Sequence, residues 1–405
     1  MIHLFINAVA GNAGGGLTYL RNFIPQLARR ANTRATVLLS ADVAANLSPQ
    51  LADTYDNIQF EKFPPAGTAL RFLREQTLLP YLIRRSGADV LLSTGNFALR
   101  NSPVPQILLS RNALYTSTDF YRDLLGRREY RLWIGERLKA LLAMRSLAWA
   151  GCTVAPSQAF ADDLKRRTGQ HVVAIHHGFD QRTFAGENAP PSSLLDKLRK
   201  SPGTIRLLCV SHYNYYRNFE TLLRALPLIQ RQVAPRRAKL FLTCDLHSNP
   251  TRGTYRSKSA VQLIKELGLR DDVVELGAVP YQHLHHLYKA CDLYVTAAYA
   301  ESFAHPLVEA MSVGLPVVAS DLPVHREICE RAAAYFPKFS PGGLADSVAE
   351  IANSPARHAQ LSHHGIARSQ NFSWSKHVDA IMAIAQQLGS VRASRPALAY
   401  ASAAD

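Results

Sequence analysis

The chain has 405 residues, of which 47% are hydrophobic and 19% charged, and a formal net charge of +15 at pH 7. That length is too great for one ordinary core and predicts two domains of roughly 200 residues each, while the composition excludes a disordered chain. No apolar run reaches the roughly 20 residues of a membrane span, and the basic excess leaves nucleic acid, anionic lipid, phosphorylated small molecules or a plain solvated surface as readings.

In chain order, "HLFINAV" reads as a buried first strand. The N-terminus lacks the charged n-region of a signal peptide, so a cytoplasmic location is expected. The loop "AGNAGGG" sets Gly14, Gly15 and Gly16 between this strand and the amphipathic helix "LTYLRNFIPQLARR". Such glycines serve either a tight turn or a close backbone approach to an anion. "TRATVLLS", "ADVLLST", "VPQILLS" and "GCTVAPS" follow as strands, and Ser157 is placed to cap the helix "QAFADDLKRRTG". Between them, residues 121–150 form one or two basic amphipathic helices, suited to an anionic membrane surface or to an ordinary domain surface. "AGENAPPSSLLDKLRKSPG" is rich in Pro, Ser and Gly and predicts a boundary near residue 185.

The second half repeats the alternation, from "TIRLLCVS" through "KLFLTCD", "DVVELGAV" and "CDLYVTAA" to "PVVAS". Alternating strands and helices are the mark of parallel α/β architecture. The expected organisation is a domain over 1–185, a second over 186–375, and a C-terminal segment over 376–405 made of a helix that crosses back and a mobile tail. Five single cysteines (Cys152, Cys209, Cys244, Cys291, Cys329) read as reduced thiols packed as small apolar residues.

The stretch "YAESFAHPLVEAMSVGLPVVAS" carries Glu301 and Glu309 in otherwise apolar surroundings. Pro306 starts a helix and Gly314 ends it, so Glu301 lies in the preceding loop and Glu309 one turn inside. Amides from about Phe303 to Leu307 form a natural phosphate seat. Carboxylates beside a diphosphate are tolerated where they accept from hydroxyls, which suits a ribose diol for one and a sugar ring for the other. Taken alone, the pair could equally be one solvated and one salt-bridged glutamate.

The stretch resembles the nucleotide-sugar motif of the retaining glycosyltransferases of family 4, E-G-F-G-x-P-x-x-E-A followed by G-x-P-V-V. Glu301, Phe303, Pro306, Glu309, Ala310, Gly314, Pro316, Val317 and Val318 match, while Ser302 and Ala304 stand where the family usually has glycine. "VAPSQAFADDL", "HHGFDQRTF", "RNFETLLRAL", "VVELGAV", "LYKACDLYV" and "FSW" fall in the family's order, so the resemblance covers most of residues 1–390. It implies a GT-B fold, two Rossmann-like doubly wound parallel-sheet domains facing a cleft. It also implies metal-independent transfer, with retention, of a sugar from a nucleoside-diphosphate-sugar substrate to a hydroxyl on a glycan or lipid-linked acceptor, in cell-surface glycan or glycolipid synthesis. No cofactor is expected.

The resemblance gives catalytic roles to Glu301, Arg217 and Asn112, and donor contacts to Gly15, Gly16, Ser211, Arg217, Gly277, Ser302, Phe303, Ala304 and Glu309. In "VSHYNYYRNFETLL", the family's arginine and lysine positions hold His212 and Arg217. Arg217 supplies a permanent charge and a bidentate fork, whereas His212 does so only when protonated and can equally be a packed or surface residue. Where many relatives carry a histidine this chain has Arg111 and Asn112, and an asparagine can hydrogen-bond a sugar but is no base. His283, His285 and His286 gather on no single face, so no zinc site is expected. The competing readings are a nucleotide-sugar epimerase of the same fold and a basic nucleic-acid-binding protein, although no DNA- or RNA-reading motif is present.

Overall fold

A computed structural model of the chain describes residues 1–11, 15–47, 55–64, 66–180, 184, 189–199, 202–247 and 255–393. Gly14, the sequence-based boundary at 185 and the tail beyond 393 lie outside these residues.

The chain folds as two compact units. The first is built on seven parallel strands: β1 (Ile2–Asn7), β2 (Thr33–Ser40), β3 (Ile58–Phe63), β4 (Val90–Ser93), β5 (Gln106–Leu109), β6 (Cys152–Ala155) and β7 (Val172–Ala174). Their order in the sheet is β3-β2-β1-β4-β5-β6-β7. The second unit has six parallel strands, β8 (Thr204–Cys209), β9 (Arg237–Leu242), β10 (Val273–Glu275), β11 (Leu293–Thr296), β12 (Val317–Ser320) and β13 (Ala333–Phe336), in the order β10-β9-β8-β11-β12-β13. Both sheets are doubly wound and reverse direction once, between β1 and β4 and between β8 and β11. The central strands are apolar through their middles because helices cover both faces; Leu4, Phe5 and Ile6 of β1 and Leu207 and Leu208 of β8 are all buried. Ser157 caps its helix as expected, its Oγ accepting from the Phe160 amide at 3.3 Å.

The units do not follow a single cut of the sequence. Residues 116–136 belong to the second unit although they precede the last strands of the first, and the later division falls between Gly178 and Phe179. The basic stretch is two helices, Thr118–Gly126 and Tyr130–Leu147. Arg127 explains why its start joins the second unit. Its guanidinium donates to Glu220 at 3.0 Å and to Asp123 at 2.8 Å, and lies 4.2 Å from the centre of the Tyr215 ring. Tyr299 Oη donates to Asp123 at 2.7 Å. At the other end, the helix Trp374–Ala393 packs on the first unit, where Trp374, Val378, Ile381 and Met382 join the core of Leu4, Tyr19 and Phe23. Among the described residues, no helix is long and apolar enough to cross a membrane.

Candidate functional site

In a doubly wound sheet a ligand meets the carboxyl ends of the strands where the winding reverses. In the second unit those ends are Cys209 and Thr296, and the loops that follow carry Arg217 and Glu301. Two bonds tie these loops together. Asn218, itself in the left-handed region at φ 55°, donates from Nδ2 to the Ala297 carbonyl at 3.1 Å, and the Tyr299 amide donates to the Tyr216 carbonyl at 3.0 Å. The outcome is an ion pair, with Arg217 Nη1 donating to Glu301 Oε1. The Glu301 side chain is 9% exposed and that of Arg217 21%, so water screens the pair only partly. The Arg217 Nε is buried and has no partner, and its guanidinium sits 5.1 Å from the Tyr216 ring centre. Arg217 is a permanent cation of the kind that engages phosphate groups.

Glu301 leads into the helix His305–Ser312, with Pro306 in its first turn. Its N-cap residue, Ala304, is left-handed at φ 66°, a conformation that glycine adopts at no cost and alanine does not. Glu309 is buried one turn in, and Tyr288 Oη donates to its Oε2 at 2.7 Å. Burial pushes the Glu309 carboxyl up to about 7, and the Tyr288 hydrogen bond opposes that rise. Phe303 is buried, its ring centre 4.9 Å from that of His305 and 5.6 Å from that of Phe372. Ser302 is half-buried beside it. The Ser211 amide donates to Thr243 Oγ1 at 2.9 Å, while His212 is exposed. Gly277 follows β10 at φ 74°, with open space where a Cβ would lie.

The remaining expected residues lie in the first unit. Gly15 opens the helix Gly15–Ala28 and is exposed. Gly16 is there for packing as well: a Cβ on it would come within 3.0 Å of the Gly11 Cα. Arg111 donates to the Thr94 carbonyl at 2.7 Å and to the Gly15 carbonyl at 3.3 Å, and stands 5.0 Å from the centre of the buried Tyr19 ring. Asn112 uses its side-chain oxygen to accept from the Leu114 amide at 3.1 Å, closing the turn at Ala113–Tyr115. The second unit therefore brings Arg217 and Glu301 into contact and carries Glu309 on the same segment as Glu301. Gly15, Gly16 and Asn112 are positioned in the first unit.

Three features were not read from the sequence. Tyr288 meets Glu309 across 21 residues, with no local signal. His325 is fully buried, with Nδ1 2.8 Å from the Ser320 carbonyl and Nε2 without a partner, and burial lowers its pKa to about 4. Among the described residues, Asp245, His247 and Glu275 have ligand atoms within 4.8 Å of one another and could hold a cation. Hydrogen bonds already join them, with His247 Nδ1 2.8 Å from Glu275 Oε1 and the His247 amide donating to Asp245 at 2.8 Å. His283 and His285 are buried on the helix Tyr281–Ala290, separate from that group.

Comparison with known proteins places these features in a family. A family model described as glycosyl transferases group 1 matches residues 193–368, and one described as Glycosyltransferase Family 4 matches residues 13–182. A D-inositol 3-phosphate glycosyltransferase of Mycolicibacterium smegmatis is 32% identical over 149 residues, 36% of this chain and 33% of the relative. The matched stretch thus spans about a third of the length of that curated relative. Among solved structures, a sucrose-phosphate synthase from Thermosynechococcus elongatus superposes with a TM-score of 0.74 at 18% identity, covering 96% of this chain and all of that one. Anabaena HepE, solved in complex with UDP and glucose, gives 0.68 at 20% identity, with 96% and 100% coverage. The fold is GT-B, as the resemblance implied.

Proposed function

Because this chain belongs to the group 1, family 4 glycosyltransferases, we propose that it moves a sugar from a nucleoside-diphosphate-sugar to a hydroxyl acceptor with retention and without a metal. The observation that carries this reading is the contact of Arg217 with Glu301 at the reversal point of the second sheet. A cation for the leaving diphosphate and a carboxylate for the sugar there meet in one place. The UDP and glucose bound by HepE fit a donor of this kind.

In this mechanism Glu309 holds the ribose and the start of its helix seats the diphosphate. Arg217 neutralises charge as the bond from the anomeric carbon to the phosphate oxygen breaks. The acceptor oxygen bonds to the same face of the sugar, and its proton passes to the departing phosphate oxygen. Ser211, Gly277, Ser302, Phe303 and Ala304 line the donor. No side chain need act as base, which suits an asparagine at 112.

The acceptor is a glycan or lipid-linked hydroxyl, and the enzyme works in the cytoplasm at the inner membrane face. Tyr130, Ile134, Leu138 and Leu141 are all exposed and share one face of the helix Tyr130–Leu147, with exposed Arg131, Arg137 and Arg145 nearby. Such a face suits an anionic bilayer.

Saturation-transfer NMR against a panel of UDP- and GDP-sugars, run in EDTA, tests the donor reading. Contacts to the sugar and ribose protons of at least one compound are expected without metal. Silence from every compound, or contacts that appear only on adding a divalent cation, would overturn it in whole or in part.

A further inference from the structure

We propose that Tyr288 is a positioning residue of the donor site, its hydroxyl fixing one oxygen of Glu309 and leaving the other for the ribose. This rests on the reading of Glu309 as the ribose carboxylate. Tyr288 belongs to the helix Tyr281–Ala290 before β11, and Glu309 to the helix after it. Their 2.7 Å contact therefore bridges two elements on either side of the strand that carries Glu301's loop. Both side chains are buried, so neither has water as an alternative partner. The phenol is held well above its ordinary pKa, first by its burial and then by the Glu309 charge. It stays protonated and is the donor in this pair. Its ring has little room to turn, with Phe184 at 5.6 Å and Tyr294 at 5.9 Å between ring centres.

The arrangement matters because, among the described residues, the carboxylate has no cation beside it. The groups that feel the Glu309 charge are phenols: Tyr281 and Tyr288 from one helix and Tyr294 from β11. The other helices packed on it, Pro323–Cys329 and Pro355–Ser369, contribute none among the described residues. A buried carboxyl in such surroundings tends to keep its proton near neutral pH, and a neutral acid is the weaker acceptor for a diol. Among the described residues, the Tyr288 hydrogen bond is the one interaction that favours the charged form. It gives the site a ribose anchor without a second cation competing for the diphosphate.

The test uses Tyr288→Phe, which keeps the ring and its packing. In ligand-free protein labelled with carboxyl-13C glutamate, the resonance absent from Glu309→Gln reports the carboxyl directly. It should titrate near pH 7 in the unchanged protein and at clearly higher pH in Tyr288→Phe. An unmoved midpoint overturns the proposal, whatever the donor proves to be. The second arm uses UDP-glucose and GDP-mannose, pyrophosphate diesters with no phosphate that titrates near neutrality. For whichever binds, Tyr288→Phe should weaken affinity on the order of 10-fold at pH 7 and recover most of it by pH 9. The turnover number at saturating donor should hold. An equal loss at every pH, or a loss in turnover alone, would reduce Tyr288 to a packing residue and sink the proposal. If neither compound binds the unchanged protein, the donor reading fails while the titration still decides whether Tyr288 governs Glu309.

Discussion

The two sheets reverse their winding in the same way, yet the loops at the two reversal points are stocked differently. In the first unit Arg111 donates to the carbonyls of Gly15 and Thr94 and stands over the Tyr19 ring. After β8 and β11 the second unit sets Arg217 against Glu301, and Arg127 against Glu220 and Asp123. The same topology supplies two crevices. In the second, the loops at the reversal point themselves carry the opposite charges, Arg217 and Glu301, whereas the pair beside the end of β1, Arg71 with Glu75, comes from the helix Thr68–Ser86, with Asn7 donating to Glu75 at 2.9 Å. Position comes from the fold and chemistry from what the loops carry. The contrast also says where substitutions should hurt most.

The largest effect should come from Arg127→Ala. It leaves Glu220, 17% exposed, and Asp123 without their cation. Breaking a largely buried pair from one side costs about 3 kcal/mol or more, so the urea midpoint should fall clearly. Arg111→Ala removes hydrogen bonds to two backbone carbonyls and should cost about 1–2 kcal/mol. Equal losses from the two variants would erase the difference between the units.

Glu309 comes next. Its pKa is raised from an ordinary 4.5 to about 7, so the folded protein keeps a proton that the unfolded chain gives up. The stability from this group is then full below about 4.5 and lost as pH rises through 7, a total of about 3 kcal/mol. Glu309→Gln removes that dependence. Its stability relative to the unchanged protein should improve between pH 5 and pH 8, read from urea midpoints, and a constant difference would show that Glu309 ionises normally.

Arg217→Ala should lower turnover on the order of 100-fold, because its charge matters most as the diphosphate departs. Glu301→Gln should also depress turnover, but it frees Arg217 and should leave nucleoside diphosphate binding intact. Calorimetry beside steady-state kinetics separates the two. Loss of binding in Glu301→Gln, with normal binding in Glu309→Gln, would reverse their roles.

Much of the fold was legible because most of the parallel strands hold an apolar run and many of the turns carry Gly, Pro or Ser. "TIRLLCVS" and "CDLYVTAA" could be placed as strands from composition alone, and Pro306 and Gly314 bracketed the glutamate helix. The resemblance named both Arg217 and Glu301, which the second unit brings into contact. What stayed hidden depends on partners far apart in the chain. Nothing near Arg127 announces Glu220, 93 residues later, so residues 116–136 read as part of the first half. Nothing near Tyr288 announces Glu309. Asn112 was legible as a polar residue after β5, but its use in closing a turn appears only in three dimensions.

The smallest effect tests the backbone under the proposed diphosphate seat. The first unit has glycines in its loop, whereas the second has Ala304 at φ 66° where relatives carry glycine. A left-handed alanine costs about 1 kcal/mol relative to a right-handed one, and glycine is spared that cost. Ala304 is buried, so replacing it also removes one methyl from the core, about 0.8 kcal/mol by transfer, and gives the unfolded chain more freedom. These terms nearly cancel, and Ala304→Gly should change stability by less than about 1 kcal/mol in either direction. At an ordinary helical position the same change would cost the methyl and the propensity together with nothing returned. Melting temperatures of Ala304→Gly beside Ala310→Gly, a buried alanine inside the same helix, make the comparison. Ala310→Gly should be clearly the worse of the two. If both lose equally, the strain at 304 is absent.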